Sequence, residues 1–228
     1  MVQDIIADRN EAGKLLAEKL LRYKNKDAIV LAIPRGGVPV GFVISKHLNL
    51  PLDLVMSKKI SHPYNPEFAI GSVCNDTVVM DTHSEVPNEY IEKEIKRIKI
   101  NLKEKYKAYT GTDLFSDVTG KIVILVDDGI ATGNTVLATI KMLRGKEPSS
   151  IVVAVPLIPV DNIDKIKKVS DNLVFLFAPR YFHGVGAFYK NYTQIEDIEV
   201  KKLLEENRNL QNIINEEEDL YFNEDFLL

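Results

Sequence analysis

Two adjacent carboxylates, Asp127 and Asp128, follow the apolar run Ile122–Val126 and precede Gly129, Ala131, Thr132, Gly133, Asn134 and Thr135. A continuous, mostly β-branched run is the pattern of a strand buried on both faces. The helical spacing of Val136, Ile140 and Leu143 begins directly afterwards. Strand, acidic pair, small-residue loop and helix start together suit a sugar phosphate. Backbone N–H groups at a helix start attract phosphate, and the Thr132 and Thr135 hydroxyls can donate to it. Carboxylates at the strand end can accept from ribose hydroxyls or hold a hydrated Mg²⁺. Strands of α/β proteins often end in Asp followed by Gly for structural reasons alone, so the argument rests on the whole string. Other phosphate loops fit poorly. A Walker A loop needs Lys after its last Gly, where Asn134 stands, and Gly129 with Gly133 does not make G-x-G-x-x-G.

The string resembles the PRPP-binding motif of type I phosphoribosyltransferases: four apolar residues (123–126), two acids, a short variable stretch, then Thr-Gly and small hydroxyl or amide residues. The resemblance implies that Asp127 and Asp128 bind the ribose 2′ and 3′ hydroxyls and reach Mg²⁺ through ribose or water. It also implies that Ala131, Thr132, Gly133, Asn134 and Thr135 wrap the 5′-phosphate. Pro66-Glu67-Phe68-Ala69-Ile70-Gly71, Tyr90 to Ile95, and Phe182-His183-Gly184-Val185-Gly186 with Tyr189 are similar to a bacterial subgroup of unassigned substrate. The likeness covers nearly residues 5–204.

Two further sites have matching chemistry. Pro34-Arg35-Gly36-Gly37 breaks an apolar run before a helical pattern. Its glycines allow close backbone approach, and Arg35 adds a permanent charge. An ordinary glycine turn has the same look. By resemblance this is the pyrophosphate loop, with a cis bond at Arg35–Gly36. Lys58 and Lys59 stand just beyond an expected strand at 52–56, before the polar stretch 61–67. The resemblance implies a basic pair on pyrophosphate, Lys59 first, and a mobile loop over PRPP. A lysine pair can equally be a solvated edge. Arg35, Lys59, Asp127 and Asp128 are thus the expected catalytic set. The acceptor is expected beside Tyr181, Phe182 and His183, although aromatics at a strand end are commonly core. Six-oxopurine enzymes of the family carry an Asp where this chain has Ala131, which weakens that class of acceptor.

The expected frame is α/β. Asp8 and Glu11 outline a capping box before a helix at 9–24. Strands are expected at 28–33, 52–56, Ile122–Val126, 151–155 and 173–177, with helices at 38–48, 135–144 and 160–169. Residues 69–73 and 77–80 flank Cys74-Asn75-Asp76 as a hairpin. Residues 89–109 form a long charged helix with Ile91, Ile95, Ile98 and Leu102 on one face. Alternating strands and helices imply a parallel, Rossmann-like sheet with helices on both faces, a small hood and an added long helix. Residues 1–204 are expected as one phosphoribosyltransferase domain and 205–228 as an acidic tail.

Composition sets outer bounds. The chain has 228 residues, 45% hydrophobic and 27% charged, with net charge −4. No run approaches the ~20 residues of a membrane span. The polar N-terminus is unlike a signal peptide, and the single Cys74 is compatible with a reducing cytosol. Residues 205–228 carry net −7 and the rest +3, so an anionic small ligand is favoured over nucleic acid. The tail's Leu220, Tyr221, Phe222, Phe226, Leu227 and Leu228 could dock or meet a partner. The implied activity is transfer of ribose 5-phosphate from PRPP to a small nitrogenous acceptor, with Mg²⁺, in the cytoplasm. A homodimer is left open. The alternatives are a regulator that binds PRPP or nucleotide without catalysis, or a subunit active only in a hetero-complex.

Overall fold

The computed structural model describes residues 5–80 and 86–224. A five-stranded parallel sheet in the order β2-β1-β6-β7-β8 forms the centre. Its strands are β1 (Ala28–Ala32), β2 (Leu52–Leu54), β6 (Ile122–Val126), β7 (Ser150–Leu157) and β8 (Asn172–Phe177). Alternation of side chains across each strand divides the core in two. Val30 and Ala32 of β1 pack with helices α1 (Arg9–Lys19) and α2 (Gly37–Leu48), as do residues of α6 (Asp197–Glu224). Ile29 and Leu31 face the opposite way, toward α4 (Asn134–Arg144) and α5 (Val160–Lys167). A sheet covered on both faces explains why its central strands read as unbroken apolar runs.

Helix α1 begins as its sequence suggests. The Asp8 side chain accepts from the Glu11 N–H at 2.9 Å, and the Glu11 carboxylate takes the Ala7 N–H. It ends at Lys19, and residues Leu21–Tyr23 form a separate 3-10 turn.

The expected hairpin around Cys74-Asn75-Asp76 forms, but residues 57–67 before it differ from expectation. β3 (Ser57–His62), β4 (Asn65–Cys74) and β5 (Thr77–Met80) make an antiparallel hood. Lys58 and Lys59 therefore lie inside β3, opposite Val73 and Ser72, rather than at the end of a parallel strand. Residues 61–67 are not a loop either; they are the bulged end of the β3–β4 hairpin. A ribbon with solvent on one side lacks the continuous apolar run that betrays a buried strand, so its polar tip reads as loop. The second turn forms at Asn75, whose φ is +49°. Asn75 exchanges bonds with Met56, its side-chain oxygen accepting at 3.0 Å and its N–H donating at 2.8 Å, and so ties the hood to the sheet end.

Helix α3 (Asn88–Thr110) flanks the hood, burying Ile98, Leu102, Tyr106 and Tyr109 along one face. Tyr106 donates to the buried Asp53 carboxylate of β2 at 2.7 Å, pinning α3 to the sheet edge. Helix α6 runs through residues 204 and 205 without a break. Asn207 is fully buried; its Oδ1 accepts from Leu52 N–H at 3.0 Å and its amide donates to Ser45. The side chains of the expected aromatic tail, Leu220, Tyr221 and Phe222, and all of Phe226, Leu227 and Leu228, lie outside the described residues. No described helix is long and apolar enough to cross a membrane.

Candidate active site

A cleft of about 1640 Å³ opens over the C-terminal ends of β1 and β6. This is where parallel sheets place ligands. Arg35, Gly36, Lys58, Lys59, Asp127, Asp128, Thr132, Asn134 and Thr135 all line it. Elements far apart in sequence thus converge as the motif spacing implies.

The acidic strand end and the small-residue loop keep distinct roles. The chain leaves β6 after Val126, and Ala131 and Thr132, with Asn134 and Thr135 at the start of α4, are exposed. Gly133 caps α4 with φ +83°, a left-handed conformation that suits glycine. Asn162 of α5 holds the loop from behind, its amide donating to the Ala131 carbonyl at 2.7 Å. Ala131–Gly133 thus form a short held turn and Asn134 and Thr135 open the first turn of α4, with Thr132, Asn134 and Thr135 turned to the cleft.

Gly36 and Gly37 have a steric reason. A Cβ on Gly36 would stand 2.0 Å from Asp128 Oδ2, and one on Gly37 would stand 2.9 Å from Asp127 Cα. The turn before α2 sits directly on the acidic pair. Gly37 N–H donates to the Ile33 carbonyl at 3.1 Å, so it closes this turn. The cis bond falls at Pro34–Arg35, one residue earlier than expected. Arg35 reaches the cleft edge with Nη1 3.4 Å from Asp197 and 3.9 Å from Glu196, at the start of α6. Tyr109 also donates to Asp197, at 2.6 Å, and this bond holds the Asp197 carboxyl below its ordinary range.

The two acids are not equivalent. Asp127 is half-buried, and its Oδ1 accepts from the Asp128 N–H at 2.8 Å. Burial, then the neighbouring Asp128 charge, raises its carboxyl well above the ordinary value. Asp128 is buried and meets Arg9: Nε and Nη2 both lie 2.8 Å from its Oδ2. The Tyr189 hydroxyl donates to the Asp128 carbonyl at 2.9 Å. Burial, with Asp128 beside it, pushes the Tyr192 hydroxyl up to about 12.

The expected acceptor residues lie elsewhere. Tyr181, Phe182 and His183 do not line this cleft. Tyr181 is 85% exposed, and Phe182 stacks on Phe188 with centroids 5.8 Å apart. Phe182 packs against the core instead. The cleft wall is formed by Tyr192, Thr193 and Gln194, with Lys105 of α3 and Lys141 of α4 further along. Sequence reading missed these residues, and it missed Arg9 and Asn162. Arg9, Lys105, Lys141 and Asn162 fall in expected helices, but nothing local marks them as facing the site; their places depend on partners far along the chain.

Among the described residues no cluster of three His, Cys, Asp or Glu side chains could hold a metal. Two carboxylates on a cleft instead suit Mg²⁺ carried largely by substrate oxygens and water. The raised proton affinity of Asp127 is what a nearby cation would relieve.

Comparison with known proteins adds an independent line. A family model described as the phosphoribosyl transferase domain matches residues 2–188. A Mycobacterium tuberculosis (strain H37Rv) protein named "Putative phosphoribosyl transferase Rv0571c" is 36% identical over 206 residues, covering 87% of this chain and 46% of its own length. The chain thus spans about half the length of that curated relative. A "Transcriptional regulator GfcR" of Methanococcus maripaludis (strain C7) is 34% identical over 139 residues, 60% of this chain and 49% of the relative. The crystal structure of TT1426 from Thermus thermophilus superposes with a TM-score of 0.78 at 32% identity, covering 88% of this chain and 97% of that one.

Proposed function

The chain belongs to the phosphoribosyl transferase domain family, and from that premise we propose that it transfers the 5-phosphoribosyl group of PRPP to a small nitrogenous acceptor. The observation that carries this reading is the convergence in one cleft of the exposed loop before α4, the half-buried Asp127 and the cations Arg35, Lys58 and Lys59.

In this reaction the C1–O bond to pyrophosphate breaks and a bond from C1 to the acceptor nitrogen forms. The nitrogen's proton leaves to solvent or a nearby base. Positive charge grows on the ribose while negative charge grows on pyrophosphate. The protein needs no covalent nucleophile, only charges placed in advance where the leaving charge develops. The loop 131–135 would seat the 5′-phosphate, and Asp127 would accept from ribose hydroxyls. Arg35, Lys58 and Lys59 would meet the pyrophosphate. The contacts of Arg35 with Asp197 and Glu196 are part-exposed and so weak enough to exchange for a ligand. When bound with PRPP, Mg²⁺ supplies charge neutralisation at the pyrophosphate oxygens, and Asp127 is the side chain suited to hold it through ribose or water.

A second reading is a PRPP- or nucleotide-binding regulator, favoured by the partial likeness to a protein named as a transcriptional regulator. Incubation with PRPP, Mg²⁺ and a panel of nucleobases separates the two. Acceptor-dependent pyrophosphate release is expected; PRPP binding by calorimetry with no release for any acceptor would favour the regulator instead.

A further inference from the structure

Arg9 is a buried arginine that neither the motif nor the proposed chemistry uses. Its side chain and that of Asp128 are 8% and 9% exposed. Nε and Nη2 grip Asp128 Oδ2, both at 2.8 Å, and Nη1 donates to the Thr193 carbonyl at 2.8 Å. The Tyr192 ring covers the guanidinium with its centroid 4.1 Å from Cζ. One planar fork thus joins the first turn of α1, the acidic strand end and the wall at 192–193. On its far side Asp128 is closed off by Gly36, where even a methyl group would collide with Oδ2.

We propose that Arg9 is a positioning residue for the acidic pair: it locks Asp128 between the turn at Gly36 and the Thr193 wall, leaving Asp127 as the carboxylate that meets the ligand. The inference rests on the PRPP reading and deepens it. Buried ion pairs as such add little net stability and are often replaceable by apolar side chains. What an apolar replacement cannot do is hold a carboxylate and a carbonyl in fixed register. Lysine cannot do so either, having a point charge in place of a fork. Loss of Arg9 therefore frees Asp128 to swing and loosens the Gly36 turn and the Thr193 wall together.

The test uses the full chain and PRPP with Mg²⁺, followed by calorimetry and thermal denaturation. Arg9→Met and Asp128→Asn are each expected to weaken PRPP binding by at least about tenfold, the usual effect of losing an outer partner of a ligand-holding group. Arg9→Lys, which keeps the charge, is expected to lose several-fold. The double variant should lose no more than the worse single variant, because both changes break one interaction. Leu16→Ala, in the buried face of α1, controls for stability alone: a lower Tm with unchanged PRPP affinity is expected. Wild-type affinity in Arg9→Lys, or losses that multiply in the double variant, overturns the proposal. Absence of PRPP binding in the wild-type chain overturns the PRPP reading itself, and this inference with it.

Discussion

At the scale of single residues, the site depends on close approach and on unequal acids. Gly36 has φ −60° and ψ −34°, a conformation open to any residue. Only the space beside Asp128 excludes a side chain. Gly36→Ala should therefore cost about 1–3 kcal/mol by overpacking, and should abolish PRPP binding as Asp128 is displaced. A stable variant that binds PRPP normally would refute the packing argument. Asp127 yields a pH prediction. Its folded carboxyl is raised, so the protonated form is favoured by folding. The stability it contributes is present below the ordinary aspartate range and lost as pH rises through the raised value. Asp127→Asn should thus raise Tm of the ligand-free protein at neutral pH, with the gain vanishing near pH ~4. The same variant should bind PRPP at least about tenfold more weakly, or roughly 1.4 kcal/mol. A Tm difference that is constant from pH 4 to 8 would contradict this account.

At the scale of elements, the hood and α3 enclose the cleft, and each has its own probe. Cys74 ends β4 and lies buried with Sγ 3.8 Å from the Thr139 hydroxyl of α4. Burial pushes its thiol up to about 11. Thiolate is the reactive form, so native alkylation at pH 8 should be slower than for a free thiol by roughly a hundredfold or more. Rapid labelling of native protein would mean that the hood is not seated on α4. Tyr106 tests the other flank. Its hydroxyl serves Asp53, which also accepts from the backbone N–H groups of Leu54 and Ser116. Tyr106→Phe leaves a buried carboxylate short of a donor and should cost about 1–3 kcal/mol. Denaturant midpoints with unchanged slope would measure it; no shift at all would show that Tyr106 does not anchor α3.

At the scale of the whole molecule, α6 is a structural brace rather than an appendage at its start. Val200 and Leu204 are buried, and Asn207 bridges Leu52 of the edge strand β2 and Ser45 of α2. Asn207→Ala should cost about 1–3 kcal/mol, a Tm drop of roughly 2–10 °C for a domain of this size. Truncation after residue 204 should be at least as harmful. A truncated chain with wild-type Tm would show that residues beyond 204 add nothing to the fold. Because Asp197 at the start of α6 also touches Arg35, damage here should reach the cleft edge as well.

The motif 122–135 and the alternating strands were legible because each carries a local signature. A buried parallel strand is a continuous apolar run, and a phosphate loop is a run of small residues before a helix. Residue order alone was enough for β1, β6, β7, α4 and the acidic pair. In the hood, the β4–β5 hairpin was legible from the turn residues between its two short apolar runs, whereas β3 was not, since an exposed ribbon needs no apolar run and its pairing partner lies further along the chain. Arg9 was not legible either: it lies 119 positions before Asp128, and nothing near it in sequence marks a partner. The same holds for Asn162 behind the loop, for the cleft wall at 192–194, and for the position of Tyr181 to His183 away from the cleft. Local sequence determines which backbone conformations and which charges are present. Only packing of the whole chain decides which buried charge meets which, because a desolvated guanidinium must find its carboxylate wherever the fold brings one.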